Sequence, residues 1–188
     1  KALNYNQKIL EEIKNYKPDL QAEKNSKKEI INYLNNNKEN FLRTNPAGHL
    51  TASAWIINLV ERKVLLHHHQ SLDKWIQLGG HLEENETTKK AALREAKEES
   101  GLNSISFLNK KIFDLDVHKI PEAENIAEHY HYDIRYLFKA DSKEDLEKSR
   151  ESYNLKWIDL DKVRTYLKEE SILRMVRKTK DKLNNKYK

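Results

Sequence analysis

The hydrophobic period of the chain changes near residue 46. Before that point, apolar side chains recur at helical spacing: Leu3, Ile9, Leu10 and Ile13, then Ile30, Ile31, Tyr33 and Leu34, with Lys17-Pro18-Asp19 between the groups. This predicts two helices joined at a proline turn. The segment holds no glycine, and Asn35-Asn36-Asn37 followed by Asn45-Pro46-Ala47-Gly48 marks an exit from helix into loop. We therefore expect an N-terminal helical extension over 1–45 and the main domain over 46–188. Within that domain His49–Leu59, Val64–His69, Ser104–Leu115 and His129–Ala140 are rich in Ile, Val, Leu and aromatics with stretches of alternation, which predicts strands. Between the second and third, Thr87–Ser100 is built from strong helix formers and meets Gly101 where a C-terminal cap belongs. A last helix is expected from about Leu160 toward Lys182. The order predicts an α/β fold, a mixed β-sheet with helices packed on it. There is no internal repeat or low-complexity tract.

Composition narrows the picture. A chain of 188 residues is about one domain, and at 37% hydrophobic and 35% charged residues it is polar but has aromatics enough for a core. No run approaches the roughly 18 apolar residues of a membrane span, and Lys1–Leu10 lacks the apolar stretch of a secretory signal, so a cytoplasmic protein without membrane partners is expected. Cysteine is absent, which excludes a disulfide framework, a thiolate nucleophile and Cys-ligated zinc or iron–sulfur sites. The net charge of +5 invites a nucleic-acid partner, but the charge sits at the ends. Residues 1–47 and 161–188 sum to +3 and +6, whereas 48–160 sum to −4. An acidic body with basic ends does not suit a phosphate-binding groove, and Arg174–Lys188 reads as the solvated face of a terminal helix.

The chemistry gathers in one segment. Of four glycines two are adjacent, Gly79-Gly80, and after them six acidic residues fall within seventeen positions, Glu83 to Glu99. On a helix turning 100° per residue, Glu95, Glu98 and Glu99 share an arc of about 100°, while Ala92, Leu93 and Ala96 form a narrow apolar stripe beside them. Three like charges on a packed helix raise one another's pKa unless a cation compensates. Carboxylate oxygens suit hard ions such as Mg²⁺ or Mn²⁺, which bind substrate phosphate in their remaining positions. The alternative is a solvated face paired with Lys89, Lys90, Arg94 and Lys97.

The spacing G-x5-E-x7-R-E-U-x-E-E-x-G-U (U, bulky apolar) runs from Gly80 through Glu86, Arg94, Glu95, Glu98, Glu99 and Gly101 to Leu102, with Ala96 a small residue at one U position. Chance agreement at the seven fixed identities is on the order of one in a hundred million per start position. The segment resembles the signature of the Nudix hydrolases, and the resemblance extends over roughly 46–165. It implies an α/β/α sandwich and hydrolysis of a nucleoside diphosphate linked to another moiety by water attack at phosphorus. It further implies metal ligation by Glu95, Glu98, Glu99 and the Gly80 carbonyl, catalysis by Glu95, Glu98 and Arg94, and a bracing role for Glu86 and Arg94. The general base in this family lies in the box, here Glu95 or Glu98, or on a later loop, where Glu122, Glu124 and Glu128 are candidates. The implied partner is a small nucleotide or pyrophosphate, and family members are often homodimers. The motifs that mark ADP-ribose, diadenosine polyphosphate and coenzyme A subclasses are missing, and without Cys the isopentenyl diphosphate isomerase reading falls. A catalytically silent nucleotide-binding module and an RNA-decapping type are the alternatives.

Eight histidines stand outside that signature: His49, His67, His68, His69, His81, His118, His129 and His131. In alternating strands His67 and His69 point opposite to His68, and His129, His131, Asp133 and Arg135 share one face. One sheet face is therefore polar. His49, His81 and His131 are the candidates to line the substrate cleft, binding phosphate or a second metal, and Trp75 is a candidate to stack on a base, with a place in the core as the alternative. Trp157 is expected to be structural.

Overall fold

Every residue of the strand His49–Asn58 (β1) is buried. A strand covered on both faces needs small or apolar side chains, or polar ones whose hydrogen bonds are met inside. Leu50, Ala52, Ala54 and Ile56 occupy one face, and His49, Thr51 and Ser53 the other. The computed structural model describes residues 5–38, 43–122 and 126–185. After helices α1 (Tyr5–Asn15) and α2 (Gln21–Asn36) come β1, β2 (Lys63–His69), β3 (Lys74–Ile76), β4 (Leu78–His81), α3 (Thr88–Ser100), β5 (Ser106–Ile120), β6 (His129–Lys139), β7 (Ser152–Asp159), α4 (Val163–Tyr166) and α5 (Glu170–Asn185). One sheet takes the order β3-β2-β1-β6-β5, with β4 paired to β1 and β7 to β2. The expected α/β class and both N-terminal helices are present. No helix among the described residues is long and apolar enough to cross a membrane.

The chain divides into two compact units, and β1, β4, α3, β5 and β6 contribute residues to both. The first takes the described residues of Lys1–Ser53, Gly80–Ala92 and Asn109–Tyr136. Its helices bury Ile9 and Ile13 from α1 and Ile30, Tyr33 and Leu34 from α2, the three-to-four spacing of an apolar stripe. Polar contacts fasten those helices to strands. The Tyr33 hydroxyl donates to the Gly48 carbonyl (2.7 Å) and its ring stacks on Tyr132 at 4.0 Å, while the Tyr16 hydroxyl donates to Glu23 and to the Phe113 carbonyl. Gly48 is obligatory there: its φ is 111°, and a Cβ would lie 2.1 Å from the Tyr130 carbonyl oxygen. The polar sheet face is a buried ion network. Arg135, 2% exposed, donates to Asp133 (2.8 Å), Asp114 (3.2 Å) and Asp116 (3.1 Å), and Asp133 also accepts from the hydroxyls of Thr51 and Ser53. A guanidinium with five donors tolerates such burial when carboxylates take up its N–H groups.

The second unit takes Ala54–Gly79, Leu93–Leu108 and Leu137–Lys188. Here β2 pairs antiparallel with β3, His67 opposite Ile76, and with β7, Leu65 opposite Trp157. Helix α5 buries Ile172, Met175, Val176, Thr179 and Leu183, and Thr179 accepts from the Trp55 indole N–H at 2.9 Å. The last helix differs from expectation: it begins at Glu170, because Leu167 turns to extended backbone (φ −149°, ψ 159°) and buries its side chain. Strand β5 runs on past Leu115 to Ile120, and β3, β4 and β7 add strands that the periodicity did not mark.

Candidate active site

Helix α3 ends where expected. Gly101 adopts φ 70° and its N–H donates to the Lys97 carbonyl, and a Cβ there would lie 2.6 Å from Glu147 Cβ. The last two turns, in the second unit, present the three carboxylates unequally. Glu99 is 3% exposed, and its Oε2 accepts the Gly79 N–H at 2.8 Å. Its Oε1 is buried with no hydrogen-bond partner among the described residues. His67 Nδ1 stands 4.0 Å from that oxygen, but His67 is engaged with Ser152 Oγ at 2.6 Å and burial pushes its pKa down to about 4, so it carries no charge there at neutral pH. Arg94 Nη1 reaches Glu95 at 2.8 Å and Glu98 at 3.3 Å, and the Glu98 side chain is 60% exposed.

Electrostatics sharpen that inequality. Burial pushes the Glu99 carboxyl up to about 8; the Gly79 N–H opposes this, and Glu95, Glu151 and Glu98 reinforce it. Burial also raises Glu95, partly offset by Arg94. Thus Arg94 serves Glu95 and Glu98, while the most buried carboxylate faces its like-charged neighbours with one hydrogen bond. Lys89, a partner in the solvated-face reading, pairs instead with Glu12 at 2.9 Å in the first unit.

A second cluster lies in the first unit and is built from imidazoles. His49, 2% exposed, has its Nε2 2.8 Å from His81 Nε2, and its ring centroid lies 4.7 Å from that of His131. His129 Nε2 is 3.3 Å from His131 Nε2, and the His118 ring lies 5.4 Å from His131. Burial is the main cause lowering His49 to about 4 and His81 to about 3, and it lowers His131 as well. The three histidines expected to act together do come together, joined by His118 and His129. Trp75 is placed in the second unit, half-buried, stacked on His68 at 5.5 Å and edge-on to Tyr166. Gly80 lies half-buried in β4. Among the loop candidates for general base, Glu128 is paired with Lys119 at 2.6 Å, Glu122 is exposed, and Glu124 lies outside the described residues.

A family model described as NUDIX domain matches residues 48–178. The chain belongs to the Nudix hydrolase family. It is similar in fold to an Ap4A hydrolase from C. elegans, solved as a binary complex, with TM-score 0.58 and 21% identity over 72% of this chain and 98% of that one. A hydrolase of the NUDIX family from Clostridium perfringens aligns at TM-score 0.50 and 26% identity over 69% of this chain and 95% of that one. The E. coli dihydroneopterin triphosphate pyrophosphohydrolase aligns at TM-score 0.50 and 18% identity, covering 68% and 91% respectively. No curated protein matches the chain.

Nudix hydrolases work with divalent cations, and the donor set on α3 fits one. Glu99 Oε1, buried and without a hydrogen-bond partner among the described residues, is an oxygen donor among further carboxylates, as a hard cation requires. Two neighbours of this Nudix site carry no signature of their own. Glu151, on the turn before β7, raises both Glu95 and Glu99, yet it stands far from the box in sequence. His67 was legible only as one member of an alternating triplet.

Proposed function

We propose that this Nudix hydrolase cleaves an organic pyrophosphate, a nucleoside diphosphate joined to another moiety, using Mg²⁺ or Mn²⁺ held by Glu95, Glu98 and Glu99. The observation that carries this reading is the Glu99 Oε1 atom, buried and without a hydrogen-bond partner on a helix whose other carboxylates repel it. When bound, the cation supplies charge neutralisation for the pyrophosphate oxygens. Gly79 fixes the Glu99 carboxylate through its N–H, and Arg94 fixes Glu95 in register one residue along the helix. Glu98 is the general base. It is the most exposed carboxylate of the three, and its contact with Arg94, at 3.3 Å, is the looser one. The water oxygen attacks phosphorus, its proton passes to Glu98, the bridging P–O bond breaks, and the two phosphate-bearing products separate.

The test is turnover of a panel of nucleoside triphosphates, nucleotide sugars, dinucleotides and capped RNA, with Mg²⁺ and then Mn²⁺, beside the Glu98→Gln, Glu99→Gln double variant. Cleavage of a panel compound that the variant fails to cleave supports the assignment and names the leaving group. Turnover by the variant at the wild-type rate overturns it. Binding without turnover points to a nucleotide-binding module instead.

A further inference from the structure

The imidazole cluster of the first unit has no task in the hydrolysis just described. His49, His129 and His131 each bring a ring nitrogen into a group whose members all lie within 4.8 Å of one another. His81 extends the group through the 2.8 Å approach of its Nε2 to His49. We propose that His49, His129 and His131, with His81 beside them, form a second metal site, one that takes a borderline transition cation of the zinc class on nitrogen ligands.

Geometry is the first support. A tetrahedral zinc with Zn–N bonds of about 2.0–2.1 Å sets its ligand nitrogens roughly 3.3 Å apart. His129 Nε2 and His131 Nε2 already stand at 3.3 Å, one edge of such a tetrahedron. The second support is orientation. His129 Nδ1 donates to the Ala127 carbonyl at 2.9 Å, which leaves the Nε2 lone pair facing His131. His118, at the edge of the group, is held in the same way by Asp116 at 3.1 Å, and Asp116 is in turn fixed by Arg135. A backbone carbonyl or carboxylate on the distal nitrogen is how metal-binding imidazoles are commonly aimed. Third, His49 Nδ1 is buried and has no hydrogen-bond partner among the described residues.

The chemistry of the donors selects the ligand class. Imidazole nitrogens that present lone pairs, as the Nε2 of His129 does, suit a metal ion and do not suit a phosphate. Neutral imidazole nitrogen also favours zinc-class ions over Mg²⁺. In its donors the site therefore differs from the carboxylates of α3.

The experiment uses the full chain stripped with a chelator and titrated calorimetrically with zinc chloride. Wild type and the Glu98→Gln, Glu99→Gln variant are expected to bind a single tight equivalent, while His129→Ala and His131→Ala weaken it by roughly 100-fold or more. Zinc K-edge X-ray absorption of the loaded wild type should show imidazole scattering, and this readout stands even where a histidine variant fails to fold. Absence of a tight equivalent overturns the proposal. So does its loss in the glutamine variant with retention in the histidine variants, or zinc bound without imidazole scattering. Hydrolytic activity enters none of these outcomes, so this proposal and the hydrolase assignment fail separately.

Discussion

The carboxylates of α3 and the imidazoles gathered from β1, β4 and β6 face the same physical problem and meet it in opposite ways. Each set packs several like groups where water is scarce. Carboxylates can shed their charge only by taking up protons, and burial with mutual repulsion drives Glu99 up to about 8. Imidazoles shed theirs by losing protons, and His49 and His81 fall to about 4 and 3. In the reading proposed above, one set takes a hard cation and the other a zinc-class cation on nitrogen. The Arg135 network completes the lesson: there a guanidinium within the protein serves three aspartates. A buried charged cluster that lacks its own counter-ion is the better pointer to a ligand.

Four perturbations bear on this contrast. The largest effect is expected for Glu98→Gln with Glu99→Gln: hydrolysis falls by about 10⁴-fold, roughly 5.4 kcal/mol of transition-state stabilisation, measured as kcat/KM at saturating Mg²⁺. Next, Arg135→Met strands the buried carboxylates of Asp114 and Asp133 and should cost about 3–5 kcal/mol in urea unfolding, whereas a network of little importance would cost under 1. Arg94→Lys keeps the charge but loses the fork that serves both Glu95 and Glu98; kcat/KM should drop roughly 10- to 100-fold with folding intact. The smallest effect is on the pH dependence of melting in metal-free protein. Folded Glu99 holds its proton more tightly than the ordinary 4.5, so its contribution to stability declines as pH rises from about 4.5 to 8. His49 and His81 bind protons less tightly than the ordinary 6.5, so theirs is lost as pH falls from 6.5 toward 3–4. Glu99→Gln should flatten the upper arm and leave the lower one, and each 1 kcal/mol amounts to about 2–4 °C in Tm.

How much of this was legible in the sequence follows from how each part is encoded. The carboxylate set lies on one helix, so 100° per residue was enough to bring Glu95, Glu98 and Glu99 together and to place Gly101 at the cap. The alternation of β6 likewise put His131, Asp133 and Arg135 on one face. What periodicity does not carry is pairing between distant strands. That His49 meets His81, or that Asp114 and Asp116 meet Arg135, depends on which strands become neighbours. Polar residues also hid the end of β5 beyond Leu115, because Asp116 and His118 sit where a strand pattern leads one to look for apolar side chains. The strands β3 and β4 are too short to show a period, and in β7 Asn154 and Lys156 alternate with Leu155 and Trp157 over a stretch flanked by charge. Leu167 breaks the last helix through a tertiary contact that its own propensity does not announce.

The central claim is that the buried Glu99 carboxyl is a ligand for a hard cation. Its most direct test is calorimetric titration of Mg²⁺, which has little affinity for imidazole, into metal-free wild type and the isosteric Glu99→Gln variant. The account predicts that Glu99→Gln weakens Mg²⁺ binding by at least roughly 100-fold while the metal-free variant melts at or above the wild-type temperature, since a repelled carboxylate has been removed. Mg²⁺ binding of equal affinity in both proteins would contradict it.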